Sequence, residues 1–482
     1  MFTDERRRIV FDQLRSQDSR GLARVLNADV VTQAARRSAL VVANGPLNVV
    51  NLVWLGVIAA LHLGKNFADV LGLTHKLLAD HESLAPSAWA GRVPQEPRRW
   101  AAPRSRHDPR VSRATVSEEA YVKARQRLPT RFWLDLLLVL AERFETRHAK
   151  ALRWRGFRLL ALDGTCIDLP NWKALREAYG ACRNARGPQR TQARLVMLQF
   201  PLVRLPYAYE VTPLSQGETT VALRLLSHVQ RDDLVLIDRG FFSYGLLARL
   251  HRQGAFFGIR LKGGIKLKAL KRLGPEDRLV EWRPQKVRQQ DPTSPLPKAL
   301  SLRLIRYQFR GFRGNAVLTN VTDPRRLSRA DWVRLAEPGG VAESELYHRR
   351  WEIETTFYEL KVTQGMEGGL RGRTRATIEY EIGAHVVIYL AVRWLMVEAA
   401  IEHGAEPLRL SFAQALREFD DLRVNLLQAS AAWAQQVLIP RLLARIAAHR
   451  VPLRPGRHFP RPKDGQPKNR GHGQRQPAAK IC

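Results

Sequence analysis

The stretch FRLLALDGT, residues Phe157 to Thr165, predicts a buried strand that ends in an aspartate followed by glycine. Two further strand-like runs follow it, ARLVMLQFPLV and YAYEVTP, and then a helical run, ETTVALRLLSHVQ. The next strand, DLVLIDRGF, also leads into an aspartate, and SYGLLARLHRQG and AFFGIRL predict another helix, closed by Gly254, and another strand. This β-β-β-α-β-α-β order predicts a mixed α/β sheet.

Two aspartates, Asp163 and Asp238, stand at the predicted ends of strands in this sheet. In open α/β sheets, functional sites form outside the carboxyl ends of the strands. If the two strands are parallel neighbours, their carboxylates lie side by side, and two such charges need a cation between them. Mg²⁺ prefers a few carboxylates together with water and phosphate oxygens. Two such ions, about 3.5–4 Å apart, suit phosphodiester displacement, so the pair predicts this chemistry.

A third carboxylate comes from YHRRWEIETTFYELK, which begins at Tyr347 and predicts a helix starting near Ser344. At roughly 100° per residue, Tyr347, Arg350, Glu354 and Lys361 share one narrow face. We expect Glu354 to be the third metal ligand, and Arg350 and Lys361 to grip phosphates nearby. The apolar stripe beside this face consists of Leu346, Ile353, Phe357 and Leu360, and Glu352 and Glu359 point elsewhere.

The charge balance points to a polyanionic partner. The 482 residues include 79 Lys and Arg but only 45 Asp and Glu, a net charge of +34. Such a surface repels itself unless a polyanion shares it, so nucleic acid is the first candidate and an anionic membrane the second. A generally basic proteome is the alternative explanation. The hydrophobic content of 45% and charged content of 26% are typical of a folded protein.

Cysteine usage and hydropathy indicate an intracellular site. The three cysteines, Cys166, Cys182 and Cys482, form no C-x-x-C pair and suggest neither a disulfide framework nor a zinc site. The N-terminal MFTDERRRIV lacks the apolar core of a signal peptide. The longest apolar run, LVWLGVIAAL, is too short to span a bilayer and predicts a buried helix, so no membrane partner is expected.

The chain divides into four predicted regions. Residues 1–150 are mostly helical, with a Pro- and Arg-rich linker at 92–113, and their charge suggests binding to DNA ends. Residues 151–400 hold the sheet, with a β-rich insertion at about 263–325. Residues 401–450 are helical again, and residues 451–482 form a basic tail without a core.

The motifs LDGT, LIDRGF and Y-x2-R-x3-E-x6-K, which contain Asp163, Asp238 and Glu354 in order, resemble those of DDE transposases of bacterial insertion sequences. The tyrosine-arginine-glutamate-lysine signature is similar to that of the insertion sequence 4 family. The resemblance covers about residues 115 to 400. Either aspartate motif alone is a weak signal, whereas all of them together, in order, are a strong one.

This resemblance implies a ribonuclease-H-like core with a β-rich insertion and cut-and-paste transposition of an insertion sequence. It implies two Mg²⁺ ions, with Mn²⁺ as a substitute, held by Asp163, Asp238 and Glu354. It implies nicking at terminal inverted repeats, a hairpin intermediate, strand transfer into target DNA and a homodimer that joins two ends. The site of action is then the bacterial cytoplasm, at the nucleoid. A tryptophan in the insertion of relatives stacks on a flipped base, and Trp282 is the position that aligns with it.

Each of these residues has a plainer interpretation. Asp163 before glycine is also common turn chemistry, and Asp238 before arginine is also a strand-end ion pair. Arg350 and Lys361 are also ordinary helix-surface charges, while Tyr347 and Trp282 are also packing residues. Two residues are set aside: Asp168, at an odd spacing from Asp163 and so on the opposite strand face, and His348, without a partner at metal-ligand spacing.

Two other functions fit parts of the sequence. A relative that holds transposon ends without cutting them explains the net charge equally well, but not three carboxylates directed at phosphate, which repel it. A carboxylate-pair glycosidase explains the acids but not the charge of +34 or the basic residues beside Glu354. The sequence therefore favours the enzyme.

Overall fold

The computed structural model describes residues 25–26, 28–40, 47–61, 118–182, 190–284, 296–307, 315–332, 346–428 and 434–452. The predicted linker at 92–113 and the tail beyond residue 452 lie outside these ranges.

The described strands form one 11-stranded mixed sheet. The strands are β1 (Arg153–Trp154), β2 (Phe157–Asp168), β3 (Ala181–Cys182), β4 (Arg190–Phe200), β5 (Leu205–Pro213), β6 (Asp233–Ile237), β7 (Phe256–Arg260), β8 (Lys268–Gly274), β9 (Asp277–Trp282), β10 (Leu300–Tyr307) and β11 (Asn315–Thr319). Their order is β3-β4-β2-β6-β7-β11-β10-β9-β8, with β1 paired to β2 and β5 paired to β4. The α/β class and the strands expected between Phe157 and the end of β7 are confirmed.

The centre of the sheet joins an antiparallel half to a parallel half. Strands β2, β4 and β5 pair antiparallel, whereas β6 runs parallel to β2 and β7 parallel to β6. All five residues of β6 are buried, as expected of a parallel strand covered on both faces. The two parallel strands β2 and β6 therefore end their shared ladder at one edge of the sheet.

The β-rich insertion extends this sheet. Strand β11 pairs antiparallel with β7. Toward the outside of the sheet, β10 then pairs with β11, β9 with β10 and β8 with β9. The insertion strands are therefore continuous with the central strands through main-chain hydrogen bonds. Because of this continuity, the ends of the insertion strands lie along the same edge of the sheet as the two aspartates.

The helices lie around this sheet. They are α1 (Ala28–Arg37), α2 (Val49–Leu61), α3 (Glu118–Gln126), α4 (Phe132–His148), α5 (Lys173–Tyr179), α6 (Glu218–Leu225), α7 (Tyr244–Arg252), α8 (Arg329–Trp332), α9 (Glu352–Tyr358), α10 (Arg375–Glu402), α11 (Phe412–Gln428) and α12 (Ile439–Ala448), with a short turn at Met366–Gly369. The expected buried helix within LVWLGVIAAL is α2. Gly254 closes α7 with a φ of 77°, in the left-handed region that favours glycine.

Helix α10 is the centre of the helical layer. It packs against α2 and α4 from the N-terminal region and against α12 from the C-terminal region. The indole of Trp133 lies against Gly383 so closely that a Cβ at Gly383 has no room. One hydrophobic core therefore joins the described parts of the N-terminal, central and C-terminal regions.

Helix α10 is also long and apolar enough to pass for a membrane span. However, 94% of its most apolar window is buried inside the protein. The protein's own core therefore accounts for this hydropathy.

Candidate active site

Strand pairing brings Asp163 and Asp238 together. In the parallel ladder, Leu162 lies opposite Ile237, so the two aspartates are the next residues on neighbouring strands. The backbone N–H of Asp238 donates to the carbonyl of Leu162 at 3.4 Å. The expectation that these strands are parallel neighbours is confirmed.

The expectation that Asp163 ends its strand is wrong. Strand β2 continues to Asp168 because β4 pairs with it along this whole length. Gly164 is thus a strand residue, and the Asp-Gly pair forms no turn. The parallel ladder stops at Leu162, however, so Asp163 still lies where the edge of the parallel half opens. Asp168 is half-exposed and its carboxylate accepts from Gln192 and Arg190, away from Asp163.

Backbone groups orient both carboxylates. Asp163 Oδ1 accepts from the N–H of Gly164 at 2.8 Å. Asp238 Oδ2 accepts from the N–H of Gly240 at 2.9 Å and so caps the short turn Arg239–Phe241. Each aspartate therefore has one oxygen fixed by the backbone, and its other oxygen faces the guanidinium of Arg350.

The sequence predicts one regular α-helix for the segment that carries the third carboxylate. The structure shows a different arrangement. From Leu346 on, the described part is a 3₁₀ turn (Leu346–Trp351), then α9, then a π turn (Glu359–Thr363), and the predicted start near Ser344 lies outside the described residues. The inner face is nevertheless as expected, since Leu346, Ile353, Phe357 and Leu360 are all buried. Wide π turns are rare and frequently mark functional sites.

Arg350 joins all three carboxylates. One guanidinium nitrogen lies 2.7 Å from Asp163 Oδ2, and the other lies 2.7 Å from Glu354 Oε1 and 3.5 Å from Asp238 Oδ1. The Arg350 side chain is 5% exposed, whereas that of Glu354 is 57% exposed. In this structure Arg350 pairs with the three acids, and its expected contact with phosphate stays a prediction.

The charges of this cluster are unbalanced. Burial raises the pKa of Asp163 to about 7; Arg350 and the Gly164 N–H act in the opposite direction, and Asp238 and Glu354 raise it further. One guanidinium faces three carboxylates, so the ionised cluster carries a net charge of −2. Such a set of hard oxygen donors suits a divalent cation.

The donor chemistry therefore fits a divalent metal, with one rearrangement. Among the residues that the structure describes, no three Asp, Glu, His or Cys side chains gather closely enough to hold an ion. The guanidinium of Arg350 lies between the carboxylates and takes that position. Metal binding by Asp163, Asp238 and Glu354 thus requires Arg350 to move aside.

Lys361 reaches the same strand from the other end of the segment. Its Nζ donates to the carbonyl of Cys166 at 2.7 Å and lies 2.9 Å from Glu367 Oε1. Cys166 is three residues beyond Asp163 on β2, so the ammonium lies near the same edge. Lys361 lies inside the π turn, so the backbone of that turn sets the direction of its side chain.

Tyr347 is a buried link between two strand ends. It is 6% exposed, and its hydroxyl donates to the carbonyl of Ile237 and accepts from the N–H of Arg260. These contacts join the ends of β6 and β7, next to Asp238. Its predicted contact with DNA stays a prediction, because this structure shows a packing role.

Trp282 is also buried. It is 6% exposed and packs against Phe242 and Tyr244, with ring centroids 5.2 and 4.9 Å away. This placement agrees with the strand-core interpretation. Stacking on a flipped base requires the indole to leave this packing, so that role is not supported by the placement and stays a prediction.

Sequence reasoning missed a buried ionic network behind the Glu354 helix. Glu359 accepts from Tyr389 at 2.6 Å, forms an ion pair with Arg393, and also bonds Arg204 at 3.2 Å. Arg204, in the turn after β4, also holds Glu352 at 2.6 Å. The signal was available, since Glu352 and Glu359 are seven residues apart, on the face away from Glu354. The network clamps α9 between the sheet and α10.

We expect Glu359→Ala to lower the free energy of unfolding by about 3–5 kcal/mol, because it leaves the fully buried Arg393 without its carboxylate. Urea denaturation measures this change, with Glu119→Ala as the matched control. Glu119 is exposed and pairs only across one helical turn with Lys123 among its described ion pairs, so its loss should leave stability close to that of wild type. Equal effects of the two substitutions contradict the clamp.

Comparisons with known proteins agree with this geometry. The family model described as Transposase DDE domain matches residues 154–391, which include β2, β6, α9 and all three carboxylates. Transposase InsG for insertion sequence element IS4, from Escherichia coli (strain K12), is 28% identical over 367 residues, 73% of this chain and 77% of InsG. A cryo-EM structure of a piggyBac transposase synaptic complex with hairpin DNA aligns with 96% of this chain and 88% of its own, at 10% identity and a TM-score of 0.37, too weak a likeness to bear on the fold. These matches and the cluster of three carboxylates show a transposase that is similar to the DDE transposases of the insertion sequence 4 family.

Proposed function

We propose that this transposase cuts DNA at the terminal inverted repeats of an insertion sequence and joins the freed 3′-hydroxyl to target DNA, with Asp163, Asp238 and Glu354 as its catalytic residues. The observation that carries the proposal is the convergence of these three carboxylates on Arg350. A protein that only binds DNA gains nothing from acids at its phosphate-binding surface, since they repel phosphate. The three clustered carboxylates therefore favour the enzyme over the binding-only alternative.

The strand order supports a ribonuclease-H-like core. Strands β2, β4 and β5 form the antiparallel part, and β6 and β7 add in parallel on the other side of β2, in the order β5-β4-β2-β6-β7. Asp163 lies on the central strand and Asp238 follows its parallel neighbour. This arrangement is the one that the resemblance implies for a core with this chemistry.

The enzyme depends on divalent metal, and we infer two Mg²⁺ ions, for which Mn²⁺ substitutes, held by Asp163, Asp238 and Glu354. When bound, such ions activate the attacking oxygen and stabilise the leaving oxygen of a phosphodiester displacement. The residues of the chain prepare the site for this. The backbone N–H groups of Gly164 and Gly240 fix one oxygen of each aspartate, so the other oxygens point inward. Glu354 completes the set from the solvent side, where the DNA strand reaches the site.

Arg350 and Lys361 hold the phosphates in this proposal. Arg350 is bound to the acids here, and it is free to turn to a phosphate once the acids have another cationic partner. Its planar guanidinium suits two-point contact with phosphate oxygens. Lys361 supplies a second positive charge from the Cys166 side of the site.

We expect Arg350→Ala to weaken binding of a terminal-repeat duplex and to reduce the slope of log affinity against log salt by about 1, because one phosphate contact is lost. Fluorescence anisotropy between about 50 and 200 mM salt measures this slope. Arg325→Ala is the control, since that side chain is 91% exposed and pairs with Asp323. An unchanged slope for Arg350→Ala shows that this side chain meets no phosphate.

The products distinguish this function from simple nuclease action. The proposal requires a nick at the repeat boundary followed by attack of the new 3′-hydroxyl on the opposite strand, which produces a hairpin on the transposon end. A denaturing gel of a duplex labelled on one strand resolves nicked, hairpin and doubly cut species. Double-strand breaks without a hairpin would contradict the proposed sequence of steps.

Because two ends must be held together, we also propose a homodimer in the active complex, which acts in the bacterial cytoplasm at the nucleoid.

A further inference from the structure

An open basic cleft continues the catalytic edge of the sheet toward the insertion. It has a volume of about 600 Å³. The residues that define its chemistry are Arg239, Lys262, Glu276, Arg306, Asn315 and Arg329. None of these side chains has a role in the site described above, although Arg239 directly follows Asp238.

The sheet topology explains why the cleft and the active site share an edge. The carboxyl end of β7 leads to Lys262, and the antiparallel β11 begins there, since Leu261 N–H donates to Ala316 O at 2.8 Å. Strand β10 ends at the same level, because Arg306 pairs with Ala316. The ends of β6, β7 and β10 and the start of β11 therefore follow one another along the edge that carries Asp238.

The cleft is strongly positive. Arg239, Lys262, Arg306 and Arg329 line it, against Glu276 as the one carboxylate among the lining residues that the structure describes. Within the described part of the chain, Arg239, Lys262 and Arg306 are exposed and form no ion pair, while Arg329 donates to the carbonyl of Arg306. Exposed cations without acidic partners repel one another, and an extended anion relieves that repulsion.

We propose that this cleft binds backbone phosphates of the DNA strand that extends from the scissile phosphate toward the insertion strands. The inference rests on the proposed function, since it takes the scissile phosphate to lie at Asp163 and Asp238. From β6 to β10 there are three strand spacings of about 4.8 Å, or about 14 Å. With the duplex axis along this edge and a rise of about 3.4 Å per nucleotide, the cleft receives phosphates about four nucleotides from the cut.

The test is a phosphate-neutralisation scan of the terminal-repeat duplex, in which methylphosphonates replace single phosphates over ten positions on either side of the cut. The scan is read as binding affinity in EDTA. For wild type, we expect a methylphosphonate about four nucleotides from the cut, on one side of it, to lower the binding affinity about tenfold. In the double variant Lys262→Ala/Arg306→Ala, methylphosphonates at those positions should no longer change the affinity. The slope of log affinity against log salt should fall by about 2.

Two further variants make the result decisive. Lys150→Ala/Arg153→Ala removes the same charge from exposed side chains at the opposite end of β2, and should leave the scan and slope as in wild type. Glu276→Lys should tighten binding several-fold and steepen the slope, a gain that misfolding does not produce. A wild-type scan in the Lys262/Arg306 variant, or no gain in Glu276→Lys, overturns the cleft proposal. If the cleft variants behave as expected but wild type never cuts, the proposed function fails while the cleft stands.

Discussion

Glu354→Gln should lower the rate of cleavage at the repeat boundary at least about a thousandfold, or about 4 kcal/mol of transition-state stabilisation. The amide keeps the size of the side chain but removes the charge that a divalent metal requires. Binding of the uncut duplex should change by no more than a few-fold, since Glu354 carries the wrong charge for phosphate. Single-turnover cleavage and anisotropy on the same substrate separate the two effects.

Glu354→Cys provides the sharper form of this prediction. A thiolate binds Mg²⁺ poorly but accepts softer ions, so cleavage should be lost in Mg²⁺ and partly restored in Mn²⁺ or Cd²⁺. The control is Glu177→Gln, an exposed helix-surface residue that should cut like wild type in every metal. Loss of duplex binding in step with loss of cleavage in Glu354→Gln contradicts a metal-ligand role.

Asp163→Asn should stabilise the metal-free protein at pH 8 while removing activity. The pKa of Asp163 is about 7 in the folded chain, above the ordinary 3.8, so ionisation of this buried group opposes folding. The neutral acid therefore contributes stability that is fully present below about pH 4 and is lost as the pH rises through 7. The difference corresponds to about 4 kcal/mol, as an upper bound. Asparagine stays neutral and escapes this loss.

Urea denaturation in EDTA from pH 4 to 8 measures the effect. The advantage of Asp163→Asn over wild type should be largest at pH 8 and should narrow as the pH falls through 7 toward 4. Asp168→Asn is the matched control on the same strand, where the side chain is 37% exposed and hydrogen-bonded to Gln192. It should not be more stable than wild type at pH 8 and should keep cleavage. If Asp163→Asn is less stable than wild type at pH 8, then ionisation of the buried Asp163 does not oppose folding, contrary to this prediction.

The order of strands and helices along the chain, and the aspartates Asp163 and Asp238 on two of these strands, could be predicted from the sequence because both follow from local patterns. The buried run before Asp238 has the continuous apolar character of a parallel strand, and the aspartate directly follows its end. The spacing of Arg350 and Glu354 is one helical turn, and they do form a hydrogen bond. These relations depend on residues near one another in sequence or on a general rule of α/β sheets.

What escaped prediction depends on partners far apart in the chain. The extension of β2 beyond Asp163 comes from pairing with β4, and the π turn coincides with the pairing of Glu359 with Arg393 and Arg204. The inward direction of Arg350 follows from three acids that only the fold assembles. For Tyr347 and Trp282 the sequence left packing and DNA contact both open, and the strand ends and aromatic neighbours that bury them come from the fold.

The most direct test of the three-carboxylate site is cleavage of a labelled duplex carrying the element's own terminal repeat. Wild type and Asp163→Asn are compared in Mg²⁺ and in EDTA, with binding measured on the same samples. We expect wild type to nick at the repeat boundary in Mg²⁺ only, and Asp163→Asn to bind the duplex but not to nick it. Cutting by wild type in EDTA, or cutting by Asp163→Asn at the wild-type rate, would contradict the assignment of this site.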